Sequence, residues 1–225
     1  MAKTLSLNFL KGILAGIAIG VGGFLFIILS HYVDGELGKA LGSLAFSIGL
    51  FTVCTFSLSL YTGKIGLIYE EKKDLPFYLS LPIMLIGNAI GAIALGYACY
   101  FIFKDTSVME TVNAACLSRT NLNTFNDYLS LMIKSFLCGL CVYFAVKLFA
   151  LNRLRFVGIL SLVTFVFVFV YCGFQHCVAN MFYFGFGNHF IGETFINLAL
   201  CILFNSFGPI IGVLIFKLIA SIKNK

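Results

Sequence analysis

Long apolar runs separated by short charged loops dominate the chain, and their lengths predict helices that cross a membrane. The first runs from about Gly12 to Tyr32, where Gly16, Gly20 and Gly23 would let a neighbouring helix approach closely. After the loop VDGELGK an uncharged run extends from Ala40 to Gly63. Its far end is rich in Ser and Thr and closes on Tyr61-Thr62-Gly63-Lys64, so this helix is expected to stop or loop before the opposite surface. A third span, about Leu75 to Phe103 with Pro76 at its start, contains Gly87-Asn88-Ala89-Ile90-Gly91. Lys104 to Tyr128, with Arg119 and the run TNLNTFND, reads as a surface connection. The fourth span covers about Leu129 to Leu151. The sixth, about Thr194 to Phe216, contains Asn205-Ser206-Phe207-Gly208-Pro209.

The fifth element is different. Residues 156 to 192 contain no Lys, Arg, Asp or Glu, yet roughly 20 apolar residues already cross a bilayer. One straight helix would be too long, and the break is expected after Phe169. There the sequence YCGFQHCVANM brings Gly173, Gln175, His176 and Asn180 into apolar surroundings. Irregular backbone at membrane depth survives only where it is packed in protein or lines a wet cavity. An ionisable side chain at that depth marks a candidate site, which singles out His176.

Composition supports this reading. The 225 residues are 60% hydrophobic and 11% charged, which gives a single all-α integral membrane domain spanning residues 1–225. The net charge of +6 resides in loops and ends rather than in an aromatic-interleaved patch, so nucleic acid is not the partner. Lys3, Lys11, Lys72, Lys73, Arg153, Arg155, Lys217, Lys223 and Lys225 fall on one side of a six-span arrangement, placing both termini in the cytoplasm. Met1 to Lys11 leads into a full-length span without a small-residue cleavage site, so no cleaved signal peptide is expected. Most of the eight cysteines lie inside predicted spans and act as small apolar residues. Cys138-Gly-Leu-Cys141 has no second such pair and no histidine pair beside it, so no metal site is read from it. His31 and His189 lie near span ends, at the interfaces.

The two halves of the chain repeat. Lys11-Gly12-Ile13-Leu14-Ala15-Gly16 matches Lys134-Ser135-Phe136-Leu137-Cys138-Gly139 at the first, fourth and sixth places. Phe46 follows Gly16 by 30 residues and Phe169 follows Gly139 by 30. Each half ends on Asn-x-x-Gly, at Asn88 to Gly91 and at Asn205 to Gly208. Three spans is an odd number, so the halves, about 10–103 and 129–217, face opposite ways across the membrane. That is an inverted repeat with its second and fifth helices broken, a plan that places a permeation site at the repeat interface.

FSIGLF at 46–51, LYTGK at 60–64, GNAIGA at 87–92, GFQHCVANMF at 173–182 and the Asn205 motif, in this order and spacing, resemble the formate/nitrite transporter family of bacterial anion channels. The resemblance implies an aquaporin-like fold, a homopentamer with a pore through each subunit, and residence in the bacterial inner membrane. It further implies that Phe46, Leu50, Phe169 and Val142 constrict the pore, that Thr62 faces a central chamber, that His176 is the pore histidine, and that Asn205 is the pore asparagine of the sixth helix. Three positions depart from the family pattern. Gln175 stands where the family usually has Glu, Gly139 replaces a fourth-helix Asn, and the lysine ahead of the fourth helix has only Arg119 or Lys134 as stand-ins.

The mechanism so implied is transport rather than catalysis, without a cofactor. A small monovalent anion of a weak acid meets apolar rings that a hydrated ion crosses poorly, since removing water from a charge is costly. Protonation lifts most of that cost, and a histidine, with an unperturbed pKa of about 6.5, can hydrogen-bond the anion or hand it a proton. A different class of reading is a membrane-embedded oxidoreductase or thiol enzyme using His176 and the cysteines. It needs more ligands than the sequence offers, because a bis-histidine haem requires paired buried histidines and only His176 is well inside.

Overall fold

A backbone in lipid must satisfy its hydrogen bonds internally, and the described residues do so with helices alone. The computed structural model describes residues 2–70, 72–151 and 154–223; Arg153 and Lys225, counted above among the cytoplasmic charges, lie outside them. The helices are α1 (Ala2–Tyr32), α2 (Gly35–Thr55), α3 (Tyr61–Ile65), α4 (Leu67–Glu70), α5 (Leu75–Phe103), α6 (Val108–Thr120), α7 (Phe125–Leu151), α8 (Arg155–Tyr171), α9 (Cys177–Phe186), α10 (Gly192–Phe207) and α11 (Pro209–Lys223). Five stretches are long and apolar enough to cross a membrane: α1, α2, α5, α7 and the run Gly192–Ile222. α8 and α9 are shorter apolar helices.

Glycine sets how closely the long helices pack. A Cβ at Gly16 would run into the backbone carbonyl of Asn88, which presses α1 onto α5, and one at Gly22 would meet the Phe46 carbonyl of α2. In the second half a Cβ at Gly139 would strike the Asn205 carbonyl, and one at Gly208 the Phe136 carbonyl, which presses α7 onto α10. Small residues serve this purpose in membranes because tight van der Waals contact replaces the hydrophobic drive available in water. The centre of the molecule is filled by Ile19, Phe46, Leu50, Leu162, Phe182, Phe184 and Phe186, all buried, while Leu44, Ile48, Ile86, Ile90, Phe195 and Leu214 face outward. An apolar exterior of this kind suits lipid or neighbouring subunits. At one end Glu70 accepts from Lys147 Nζ at 2.6 Å and from the Tyr143 hydroxyl at 3.1 Å, tying α4 to α7.

Several sequence expectations change. α1 begins at Ala2 rather than near Gly12, so the first span has an extra amphiphilic turn or more ahead of it. The helix of the second run stops at Thr55 and Tyr61 opens a new one, which sets the place of the expected stop; between them Ser57 takes a left-handed conformation (φ 50°) that no right-handed helix accommodates. The fifth element stays helical through Tyr171, two residues past Phe169, before Gly173 (φ 68°) reverses the chain. Lys104 to Tyr128 is more than a surface connection. It contains α6, whose Val108, Val112 and Cys116 are fully buried. His31 holds α6 through Thr111 Oγ1 and Ser107 Oγ, each at 3.0 Å, and His189 holds it through Thr120 Oγ1 at 3.1 Å. Both histidines are therefore anchors for this helix.

Candidate pore site

Two interruptions of helix meet at the centre of the fold. Between α2 and α3 the chain turns at Ser57, where Leu58 N–H donates to the Val53 carbonyl at 2.9 Å; between α8 and α9 it turns at Gly173, where Phe174 N–H donates to the Phe169 carbonyl at 2.8 Å. Backbone groups freed by such turns need partners, and one asparagine supplies them in each case. Asn88 Nδ2 donates to the carbonyls of Gly12 (2.8 Å) and Ser59 (2.9 Å), while its Oδ1 accepts from Tyr61 N–H (2.8 Å). Asn205 Nδ2 donates to the carbonyls of Ser135 (2.7 Å) and Gln175 (2.8 Å), while its Oδ1 accepts from Cys177 N–H (2.9 Å). Asn205 thus lies at the break with its amide engaged on backbone.

The second turn delivers His176 to the start of α9, where its Nδ1 accepts from Ala179 N–H at 3.2 Å as an N-cap. A backbone amide can only donate, so Nδ1 is the unprotonated nitrogen and the ring proton sits on Nε2. Nε2 lies 2.9 Å from Thr62 Oγ1, on the helix that follows the first turn. The Thr62 oxygen accepts this proton and its own hydroxyl proton is left to donate elsewhere. Both residues are almost wholly buried.

Aromatic rings cover this pair. Phe169 stacks on His176 with centroids 5.9 Å apart and meets Phe46 edge-on at 5.7 Å. Leu50 and Val142 are each 1% exposed, as is Leu60, which immediately precedes Tyr61 and was not singled out in the sequence. Tyr61 also reaches across to α10, its hydroxyl 2.9 Å from Ser206 Oγ.

A cavity of about 400 Å³ opens on the side of Phe46, Phe169 and His176, lined further by Lys39, Arg119 and Lys134 and by no carboxylate. A second cavity, of about 240 Å³, is bordered by Leu60, Val53, Val146 and Phe149, with Lys64 as its charged residue. Lys39 pairs with Glu36 at 3.8 Å, and Lys64 also borders a third cavity with Lys11 and Asp74. The inward turn of Arg119 had no signal in the sequence beyond its position before TNLNTFND, because its partner Asn180 is 61 positions away. No group of three His, Cys, Asp or Glu side chains able to share a metal ion occurs among the described residues, and all eight cysteines are free.

A polytopic helical protein with a buried Thr62–His176 contact between two interrupted helices, packed under aromatic side chains, is built like membrane channels and transporters. The comparisons carry this to a family: the model described as formate/nitrite transporter matches residues 1–222, and the chain belongs to that family. It is 25% identical over 204 residues to the formate channel FocB of Escherichia coli (strain K12), covering 85% of this chain and 71% of that one. It is 26% identical over 197 residues to a formate-nitrite transporter of Plasmodium malariae, covering 76% of this chain and 61% of that protein's length. Among solved structures, a pentameric formate channel with formate bound superposes with a TM-score of 0.80 at 24% identity, covering 99% of each chain. An FNT family ion channel superposes with a TM-score of 0.82 at 18% identity, covering 97% of this chain and 96% of the other. These relatives are channels and transporters, not enzymes.

Proposed function

We propose that the protein is a channel or transporter for small monovalent anions of weak acids, of the formate, nitrite or hydrosulfide type. The single observation that carries this reading is the Thr62 to His176 contact, buried directly beneath the Phe46 and Phe169 rings. The anion gathers in the cation-lined cavity, crosses the ring pair and reaches hydrogen-bond donors in an otherwise apolar surrounding. The Thr62 hydroxyl, free to donate because its oxygen is occupied by His176, is the first of them. His176 either supports that bond or supplies a proton, so passage occurs as anion or as neutral acid. Leu50, Leu60 and Val142 close the far side. Asn205 acts at the pore as a positioning residue, since it fixes the backbone on both sides of His176.

In this reading six spans form one membrane domain of two inverted halves, about 10–103 and 129–217, with the second and fifth spans interrupted at Ser57 and Gly173, an aquaporin-like plan. The subunit sits in a bacterial inner membrane as a homopentamer with both termini in the cytoplasm. The asparagines support the repeat, because each bonds the same kind of groups around its own break. The pentameric state of the structurally similar formate channel and the outward apolar faces support the assembly.

Proteoliposomes containing the purified chain, loaded with a pH indicator and offered formate, nitrite, hydrosulfide, lactate and acetate in turn, test the proposal. Uptake above that of empty liposomes for at least one of them is expected. Uptake equal to empty liposomes for the whole panel overturns it.

A further inference from the structure

Gln175 is placed by a chain of amides whose direction is fixed at one end. Arg119 has no acceptor atom, so the oxygen 2.9 Å from its Nε is Asn180 Oδ1, and the guanidinium is further held over the Tyr183 ring at 4.3 Å. Asn180 Nδ2 must then face the other way, where it donates to Gln175 Oε1 at 2.8 Å and to Asn197 Oδ1 at 2.9 Å. Asn197 Nδ2 closes the ring on the Arg119 carbonyl at 2.9 Å. Turning the Gln175 amide over would set one N–H against another, so its Nε2 is directed out of the network. That nitrogen has no hydrogen-bond partner among the described residues, on a side chain only 7% exposed.

Gln175 borders both the 400 Å³ cavity with His176 and an adjoining one of about 150 Å³, and so do Arg119 and Lys134. The Lys134 carbonyl accepts from Gln175 N–H at 3.4 Å, while its ammonium makes no hydrogen bond or ion pair among the described residues. The one carboxylate nearby, Asp127, lines only the smaller cavity and already accepts from Thr124 and Asn123. An amide N–H and the Lys134 ammonium therefore border one space, beside an Arg119 whose Nη1 already donates to the Ala115 carbonyl and to Ser118 Oγ.

We infer that Gln175 contacts the permeating anion and selects for one with two oxygens, which can take the amide N–H on one oxygen and a cation on the other. This rests on the reading of the chain as an anion channel and names its preferred class: a carboxylate or nitrite rather than hydrosulfide, which has a single acceptor centre. The donor stands one residue ahead of His176.

Initial uptake of formate and of hydrosulfide into proteoliposomes of the full chain is measured against concentration for the parent, Gln175→Glu and Gln175→Met. Gln175→Glu keeps an acceptor for Asn180 but replaces the donor with a negative charge, which acts on both anions alike; Gln175→Met removes donor and acceptor without adding charge. The expected result is a half-saturating formate concentration that rises about tenfold in both variants, with hydrosulfide changed by no more than about twofold in Gln175→Met. If Gln175→Met does not fold, Gln175→Glu decides, its formate value rising several-fold more than its hydrosulfide value. Parallel changes for the two anions, or none, overturn the inference and leave Gln175 a support for Asn180. A parent that takes up neither anion overturns the channel reading itself, and this inference with it.

Discussion

Thr62 and His176, 114 positions apart, meet through a 2.9 Å contact between Oγ1 and Nε2. The bond joins the starts of the two short helices that follow the turns, so it ties together two segments far apart in the chain. Thr62→Val leaves the Nε2 proton without an acceptor, a loss of about 1–3 kcal/mol for a buried group. Thermal unfolding in detergent should show that loss for Thr62→Val and little change for Thr62→Ser, and anion uptake should fall in the first and persist in the second.

His176→Asn should keep the fold, since Asn is among the preferred N-cap residues and can accept from Ala179 N–H as His176 does. Proton transfer to the anion is lost with the ring. Parent uptake should rise as pH falls through the acidic range, where a proton is more readily supplied to the anion. After subtraction of neutral-acid leak through lipid, the profile for His176→Asn should be flat. A variant profile that tracks the parent's would make His176 a structural residue.

Phe46 and Phe169 are expected to set the size limit. Their edge-on pairing at 5.7 Å closes the approach to His176, and Phe169→Ala or Phe46→Ala should admit larger carboxylates such as lactate at the expense of selectivity. The same truncations remove buried aromatic packing and should lower stability by about 3–5 kcal/mol. Selectivity identical to the parent in both variants would mean the rings only fill space.

Ser57 and Gly173 occupy matching places in the two turns with φ of 50° and 68°. The left-handed region costs a residue with a Cβ about 1–2 kcal/mol, and a Cβ at Gly173 would meet nothing within 4 Å. Gly173→Ala should therefore be destabilising by about that amount for conformational reasons alone. Ser57→Gly should be neutral or stabilising by up to about 1 kcal/mol, after the extra freedom of glycine in the unfolded chain is counted. Unfolding midpoints of the two variants that move in the same direction would refute the equivalence.

Asn88→Ala and Asn205→Ala each strip partners from buried backbone on both sides of a turn. Each orphaned group costs about 1–3 kcal/mol, so both variants should lose several kcal/mol and yield little folded protein. Well-folded Asn205→Ala with altered uptake alone would instead give Asn205 a direct contact with solute.

The apolar lengths of the spans and the paired asparagines were visible in the sequence because both are repeated at fixed spacing. The exact turn is not legible where the left-handed residue is Ser57, which carries no glycine signal; in the fifth element helix persists to Tyr171 and the turn falls at Gly173, within YCGFQHCVANM after Phe169. α6 escaped notice because its inward residues Val108, Val112 and Cys116 recur every fourth place among polar neighbours in a segment too short to span. Phe46, Leu50, Val142 and Phe169 could be named from matching motifs, and the structure places all four in the interior, with Phe46 against Phe169. The Arg119, Asn180 and Gln175 chain was illegible, since it depends on side chains from separate helices turning toward one another.

The Asn88 side chain bonds backbone groups of Gly12, Ser59 and Tyr61, and the Asn205 side chain likewise bonds backbone groups of Ser135, Gln175 and Cys177. Neither turn borrows a polar partner from the other half to satisfy its asparagine. Each turn is thus chemically closed by its own asparagine, so the residue between the bonded backbone groups is free to differ: His176 stands there in one turn and Leu60 in the other.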